Sequence, residues 1–436
     1  MHAAPDIIHS VDSLCEARRR TLALVADLND EQMIGPRLEI VNPLLWEIGH
    51  VAWFQEYWVL RHLNGRAPIL PDGDALYDSA KVAHETRWDI PLLSRTKVLA
   101  YMQAVLDRVI DRYGAGEELD EDATYFLSLA LFHEDMHDEA FGYTRQTLGY
   151  PQPQFGGDID DSPQAPRDAK LGDAVIPGGR LLLGSLPDRP FIFDNEMDAH
   201  EVELEPFSIS RTVTSNAEFA AFVAAGGYER REFWSHAGWQ WRQGADARQP
   251  VYWQRDGDKW LRRSFDQMVP LEDHLPVLHV NWYEADAFCR FAKRRLPTEA
   301  EWEMAASSEP TSNDQGISQP KRRFPWGDEA PDPNRANLDW QAGGCIDVRA
   351  LPAGDSAFGC RQMIGNVWEW TASDFTPYPG FVAGPYKEYS APWFGDHKVL
   401  RGGCWTTRAR LIHNTYRNFY QPHRRDVWAG FRTCAL

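Results

Sequence analysis

Leu131-Phe-His-Glu-Asp-Met-His-Asp-Glu139 is the stretch on which the reading of this chain turns. It lies inside an apolar-periodic run from Asp120 to Leu148 that predicts one long helix. On a helix His133 and His137 stand four apart and project from one face, the spacing of a metal-ligand pair. The same string contains H-E-x-x-H, which in isolation reads as a zinc protease with Glu134 as general base. That reading needs a third ligand further along the chain. Glu134 is expected instead to make contacts around the ligands or within the bundle.

Working outward, three more helices are expected before this one. Val11 to Leu28 has helical apolar spacing. Leu44 to Leu63 follows Pro43, which suits the start of a helix. Ser94 to Tyr113 has Ser94 or Thr96 as N-cap. A Gly/Pro/Asp-rich loop spans Asn64 to Asp78. Four long helices with one long crossover predict a bundle over residues 1–150, and bundle cores commonly house metal sites. Residues 151–172 are rich in Pro, Gly and Asp without periodicity and read as a linker. From 173 to 436 the pattern is different. Short strand-like runs (Leu181–Gly184, Phe191–Phe193, Val202–Ile209) are set among turn residues. Helices are expected over Asn216–Ala225, Trp282–Arg294 and Glu299–Ala306, the last capped by Thr298. Long irregular stretches held by Trp and Gly make up the rest, and such stretches in a compact domain usually carry function. The fold class is α+β, in two domains.

Composition narrows the function. The chain has 436 residues, enough for two cores, and a net charge of −19. That charge argues against nucleic acid or an anionic membrane as partner. No run of ~20 apolar residues is present to span a bilayer, and the N-terminus lacks the regions of a signal peptide. Six scattered Cys without a CxxC suggest reduced thiols and a cytoplasmic setting.

The second half carries Ile176-Pro-Gly-Gly, Asn281-Trp-Tyr-Glu-Ala, Arg295-Leu-Pro-Thr-Glu-Ala-Glu-Trp-Glu, Phe324-Pro-Trp-Gly, Gly365-Asn-Val-Trp-Glu-Trp, Leu400-Arg-Gly-Gly and Gly430-Phe-Arg. In this order they resemble the formylglycine-generating-enzyme (sulfatase-modifying factor) domain, which is related to C-type lectin folds. The bundle resembles a DinB-like domain. The fusion resembles the nonheme-iron sulfoxide synthases of ergothioneine and ovothiol biosynthesis, with the selenoneine synthases as close relatives. The resemblance covers essentially the whole chain. It implies that His50, His133 and His137 bind Fe(II), leaving positions for O2 and substrates in the manner of facial-triad iron sites. It implies Tyr378, in Phe375-Thr-Pro-Tyr-Pro-Gly-Phe381, as the catalytic tyrosine. It implies that Arg417-Asn-Phe-Tyr420 holds the betaine hercynine, with Asn418 hydrogen-bonding it and Phe419 facing its trimethylammonium group. Arg424 and Arg425 are expected to be solvated or ion-paired.

Three departures concern the second substrate. Enzymes of the family that use γ-glutamylcysteine hold its carboxylates with an Arg-x-x-Arg string; here it reads His84-Glu-Thr-Arg87, with one arginine. Where they place an Asp two residues after the matching Asn, this chain has Tyr420. Where they often have Gln before the second His of the pair, this chain has Met136. A zwitterionic dipeptide would leave charges poorly paired, whereas a sugar would not. The departures favour the selenoneine synthases, which join a 1-seleno-N-acetylglucosamine to the imidazole C2 of hercynine. An ergothioneine-type enzyme using γ-glutamylcysteine or cysteine is the alternative. Two further rivals are a formylglycine-generating enzyme, for which Cys404 lacks a nearby second cysteine in the sequence, and a lectin-like binding protein.

Overall fold

The computed structural model describes residues 11–114, 118–155, 165, 171–187, 189, 191–311, 316–318 and 321–436. The chain divides into two compact units, residues 1–157 with 188–191, and residues 158–187 with 192–436. The architecture is α+β. The expected linker over 151–172 lies largely outside the described residues.

The first unit is helical: α1 (Val11–Val25), α2 (Asp30–Ile34), α3 (Leu44–Gln55), α4 (Gly73–Tyr77), α5 (Arg95–Tyr113) and α6 (Glu121–Leu148). The Asp120 side chain caps α6 by accepting from the Ala123 N–H, and Gly149 ends it in the left-handed region at φ 66°. A surface helix shows water one face. α6 does not: every residue from Phe126 to Asp135 is buried. α1 packs on it from one side and α3 from another, while α3 also packs on α5. The expected helix from Leu44 to Leu63 is continuous but changes pitch, running into a π-helical segment over Glu56–His62. Ser94 precedes α5 without making a side-chain capping bond. The loop expected over Asn64–Asp78 contains α4, and α2 was not anticipated.

Arg18 and Glu134 are both buried in this bundle, with the Arg18 Nε donating to Glu134 Oε1 at 2.8 Å. The other guanidinium nitrogens reach the Met102 carbonyl at 2.7 Å and Gln55 Oε1 at 3.0 Å. One side chain of α1 therefore bonds to α6, α5 and α3. The Thr21 hydroxyl lies 2.8 Å from both Glu134 and Asp138 on the same side of α6.

The second unit is built from small sheets. β1 (Asp173–Ile176), β4 (Phe207–Ser210), β8 (Arg294–Arg295) and β13 (Cys434–Ala435) form one sheet in the order β1-β4-β13-β8. β2 (Gly179–Leu183) and β3 (His200–Leu204) pair as an antiparallel ribbon. β5 (Trp253–Asp256), β6 (Lys259–Ser264) and β7 (Gln267–Pro270) form a meander. β9 (Trp368–Asp374), β10 (Lys398–Arg401), β11 (Asn418–Tyr420) and β12 (Ala429–Gly430) form a sheet in the order β11-β10-β9-β12. The helices are α7 (Asn216–Ala224), α8 (His236–Gly244), α9 (Trp282–Phe291) and α10 (Glu299–Ser307). α7, α9 and α10 each begin with a full capping box, from Ser215, Asn281 and Thr298. Trp302, Trp368 and Trp370 are fully buried in the core. The expected strand at Phe191–Phe193 does not form, because these residues find no ladder partner and the chain turns into a 3-10 helix at Asp194–Glu196. The run Val202–Ile209 is split between β3 and β4 at Pro206, which has no N–H to offer a ladder.

Replacing Arg18 alone strands a buried carboxylate. Arg18→Met should destabilise the bundle by ~3–5 kcal/mol, read as a lower urea midpoint of the helical circular-dichroism signal. The double change Arg18→Met/Glu134→Leu should recover most of that loss, since a well-packed apolar pair can replace a buried ion pair.

Candidate metal centre and substrate residues

α3 and α6 bring three imidazoles into one triangle. Ring centroids lie 5.0 Å apart for His50–His133, 5.0 Å for His50–His137 and 4.5 Å for His133–His137. One ligand nitrogen from each falls within 4.8 Å of the others. Three donors on one face of an ion, each bonded at ~2.1 Å, would stand ~3.0–3.4 Å apart, so the three rings must draw together to seat a metal.

The bonds around the rings suit that role. His50 Nδ1 lies 2.7 Å from the Tyr77 carbonyl oxygen, which can only accept, so Nδ1 carries the proton and Nε2 keeps its lone pair. His137 Nδ1 lies 2.7 Å from Glu47 Oε1, a buried carboxylate, and the same tautomer follows. Burial, reinforced by the neighbouring His137, holds the pKa of His50 and His133 well below the ordinary histidine value. Both are therefore neutral, as a ligand imidazole must be. The donor set fits a transition metal and leaves coordination positions unfilled.

Glu47 sits one turn before His50 on α3, so this helix supplies one ligand and the hydrogen-bond partner of another. Tyr77 ends α4, and its position depends on a glycine. A Cβ built on Gly49 would come within 2.3 Å of the Tyr77 ring. Glu134, the residue a zinc-protease reading would place over a metal-bound water, is instead spent on Arg18 and Thr21. Aromatic rings line the histidines: Trp46 stacks on His50 at 4.9 Å and 8°, and Phe54 on His133 at 3.5 Å and 3°. Arg87 lies 3.8 Å over the Trp46 ring and donates to Asn42 Oδ1 at 2.6 Å and the Val82 carbonyl at 3.3 Å. Met136 is half-buried on α6 beside His137. The first unit thus gathers His50, His133, His137, Arg87 and Met136.

Tyr378, Asn418, Phe419 and Tyr420 belong to the second unit. Arg417 organises two of them. It bonds Glu299 at 2.8 Å, the Asn195 carbonyl at 2.7 Å and the Thr376 carbonyl at 3.1 Å. Its guanidinium lies 4.0 Å from the Tyr378 ring and 4.9 Å from the Phe375 ring. Phe419 stacks on Phe375 at 4.0 Å and 11°. The backbone of Gly184, at φ 98°, leaves room for the Tyr378 ring, which a Cβ there would approach to 2.9 Å. The Tyr378 hydroxyl is buried without a hydrogen-bond partner among the described residues, and burial raises its pKa well above the ordinary phenol value. It stays protonated, a held proton with no local acceptor. Asn418 Oδ1 accepts from the Phe419 N–H at 2.8 Å, and Tyr420 pairs with Lys398 at the sheet edge. Arg424 is ion-paired with Asp426 at 2.6 Å, and Arg425 lies over Trp241. Glu47 and Tyr77 were not singled out from the sequence, and Arg417 was named there only as part of the hercynine segment. Only Glu47 left a readable sign, a carboxylate one turn from His50.

Residues 13–140 match the DinB superfamily, and residues 159–435 match the sulfatase-modifying factor enzyme 1-like domain. The two together define a protein that joins a DinB-type helical bundle to a sulfatase-modifying-factor-like domain. Hercynine oxygenase of Mycolicibacterium thermoresistibile is 37% identical, over 99% of this chain and 95% of that protein. Hercynine oxygenase of Mycolicibacterium smegmatis is 36% identical, over 97% of each. A formylglycine-generating enzyme of Streptomyces coelicolor is 31% identical over 61% of this chain and 87% of that protein. The chain belongs to the hercynine oxygenase family. None of its six cysteines is joined in a disulfide, and Cys404 is buried against the Thr406 and Thr407 hydroxyls. Among the described residues no helix is long and apolar enough to cross a membrane.

Glu47→Ala should weaken metal binding by ~10–100-fold while leaving the helical content intact, measured by competition with a chromogenic chelator. Gly49→Ala should weaken it as well, by displacing Tyr77 and with it the carbonyl that orients His50. A Gly49→Ala chain with unaltered affinity would show that the Tyr77 contact does not set the ring.

Proposed function

We propose that this chain catalyses the iron(II)- and O2-dependent joining of a chalcogen donor to the imidazole C2 of hercynine. The observation that carries the reading is the triangle of imidazoles, two with Nδ1 fixed by a carbonyl and a carboxylate. His50, His133 and His137 would hold iron(II), which supplies the one-electron steps that triplet O2 requires. Identity to hercynine oxygenases over nearly the full chain supports hercynine as the acceptor. Asn418 would hydrogen-bond it, and the Phe419 face would attract its trimethylammonium group. Tyr378 would deliver its proton during oxygen reduction. The caged ring keeps the hydroxyl in one place, so little reorganisation is needed at the moment of transfer.

The donor we propose is 1-seleno-N-acetylglucosamine. Donor selenol, hercynine and O2 then give the selenoxide and one water. The bonds to Se–H and C2–H are lost and C2–Se and Se–O are formed. Support comes from Arg87, Met136 and Tyr420. The single guanidinium is already engaged with Asn42, Val82 and the Trp46 face, and Tyr420 offers a ring where an ammonium would need a carboxylate. Six cysteines outside disulfides are compatible with a reducing, cytoplasmic setting.

Protein purified without oxygen and loaded with iron(II) should retain one iron per chain, and His50→Ala and His133→Ala should each lose it by metal analysis. Given hercynine and O2 with equal selenosugar, thiosugar, γ-glutamylcysteine and cysteine, the chain should consume selenosugar first, with products read by mass. A preference for γ-glutamylcysteine overturns the donor assignment and leaves the hercynine reaction in place. Tyr378→Phe should lower product formation by at least tenfold with little change in hercynine affinity.

A further inference from the structure

The His50 ring is one member of a file of rings along α3 and its π-helical extension. Trp46 lies against one side of it. On the other side Trp53 follows at 5.9 Å and 21°, and Tyr57 lies 5.2 Å and 29° from Trp53. Positions 46, 50, 53 and 57 share one helical stripe. Trp53 is buried and Tyr57 is part-exposed, so the file runs from the histidine cluster to water. His133 is backed differently, by Phe54, a ring that gives up an electron far less readily.

Electrostatics separates the two ways out of His50. The Arg87 cation over Trp46 opposes a positive charge on that ring. Trp53 has the opposite surroundings, its Nε1–H donating to the Asp74 carboxylate at 2.8 Å. Asp74 is held there by two bonds from Arg61, at 2.5 and 3.0 Å. The Arg61 guanidinium in turn lies 5.1 Å from the Tyr57 ring. That cation does not oppose oxidation of Tyr57, because an oxidised phenol sheds its proton to water and becomes neutral. Electron tunnelling falls off exponentially with distance, so adjoining rings favour stepwise transfer through Trp53.

We propose that Trp53 and Tyr57 form an electron-donating file that protects the histidine cluster when O2 is reduced there without substrate. One electron leaves Tyr57 and passes through Trp53 to the oxidising equivalent at the site, and the phenolic proton goes to solvent. A small thiol then returns one electron and one proton to the tyrosyl radical. Two thiyl radicals so formed combine as a disulfide. The inference rests on the proposed iron-and-O2 reading of the site.

The test uses the full chain with iron(II), exposed to O2 without hercynine or donor, and compares wild type with Tyr57→Phe, which keeps the ring and removes the oxidisable hydroxyl. Wild type should show a tyrosyl signal by electron paramagnetic resonance, quenched by added thiol, and Tyr57→Phe should lack it. Peptide mapping by mass should find oxidation of His50, Trp53 and neighbouring residues raised at least threefold in Tyr57→Phe. Initial rates with both substrates should match wild type. Trp53→Phe, checked for an unchanged melting temperature, should also lose the signal while retaining Tyr57. Equal damage and equal radical signal in wild type and Tyr57→Phe, with iron bound in both, overturn the protective file alone. A wild-type chain that binds no iron overturns the reading of the site and this inference with it.

Discussion

The guanidinium of Arg18 bonds to three neighbouring long helices of the first unit from the fourth. Its position follows from a constraint on α6. A helix buried through Phe126–Asp135 has no water face on which to place charge, so each polar side chain must be satisfied inside. Glu134 turns to Arg18 and Thr21 on one side. His133 and His137 turn the other way, toward His50. The ion pair and the histidine cluster are thus two consequences of one buried helix. Locking Glu134 on one side holds the register that aims His133 and His137 at α3.

The second unit meets the same constraint with a larger network. Arg401 bonds Glu299 at 2.8 Å and Glu303 at 2.5 Å, and Arg417 shares Glu299. All four groups are buried, so each charge is tolerable only while the others are present. Opposite charges outweigh burial at Glu299, whose pKa is lowered although desolvation, the largest influence on it, acts to raise it. Arg417 then carries this order outward to the Thr376 carbonyl and the Phe375 and Tyr378 rings. A loop with almost no regular structure gains the rigidity of the ion network beneath it. That is how an irregular segment can hold a phenol in one place.

Much of this was legible in the sequence and some was not, for identifiable reasons. The four-residue spacing of His133 and His137 is a local property of a helix, and α6 has it. The N-cap at Thr298 is equally local. Arg18 is the opposite case. Among neighbouring arginines on an amphipathic helix it reads as solvated, and its burial depends on Glu134, which is 116 residues away. The Tyr77 carbonyl could not be read either, since a backbone oxygen leaves no mark in residue identity. The meander β5–β7 was missed although Asp256-Gly257, between two short β-prone runs, is a hairpin signal. The aromatic run Phe191–Phe193 misled in the other direction, because strand propensity is not a ladder partner.

The charge of the centre bears on the donor question. The described residues offer the cluster three histidines and no carboxylate, since Glu47 reaches it only through the His137 ring and Glu134 is turned away. Three imidazole ligands would leave a dication held there with its charge largely uncompensated. Such a centre favours a ligand that is itself anionic at the bonding atom. A selenol ionises more readily than a thiol, so a selenosugar brings its negative charge to the reacting atom and carries none elsewhere. γ-Glutamylcysteine brings two carboxylates and an ammonium that each need a partner away from the metal. Around Arg87 the guanidinium lies flat on Trp46 and is bonded to Asn42 and Val82, so recruiting it would cost contacts it already makes. A neutral ring with one charged atom asks for none of this.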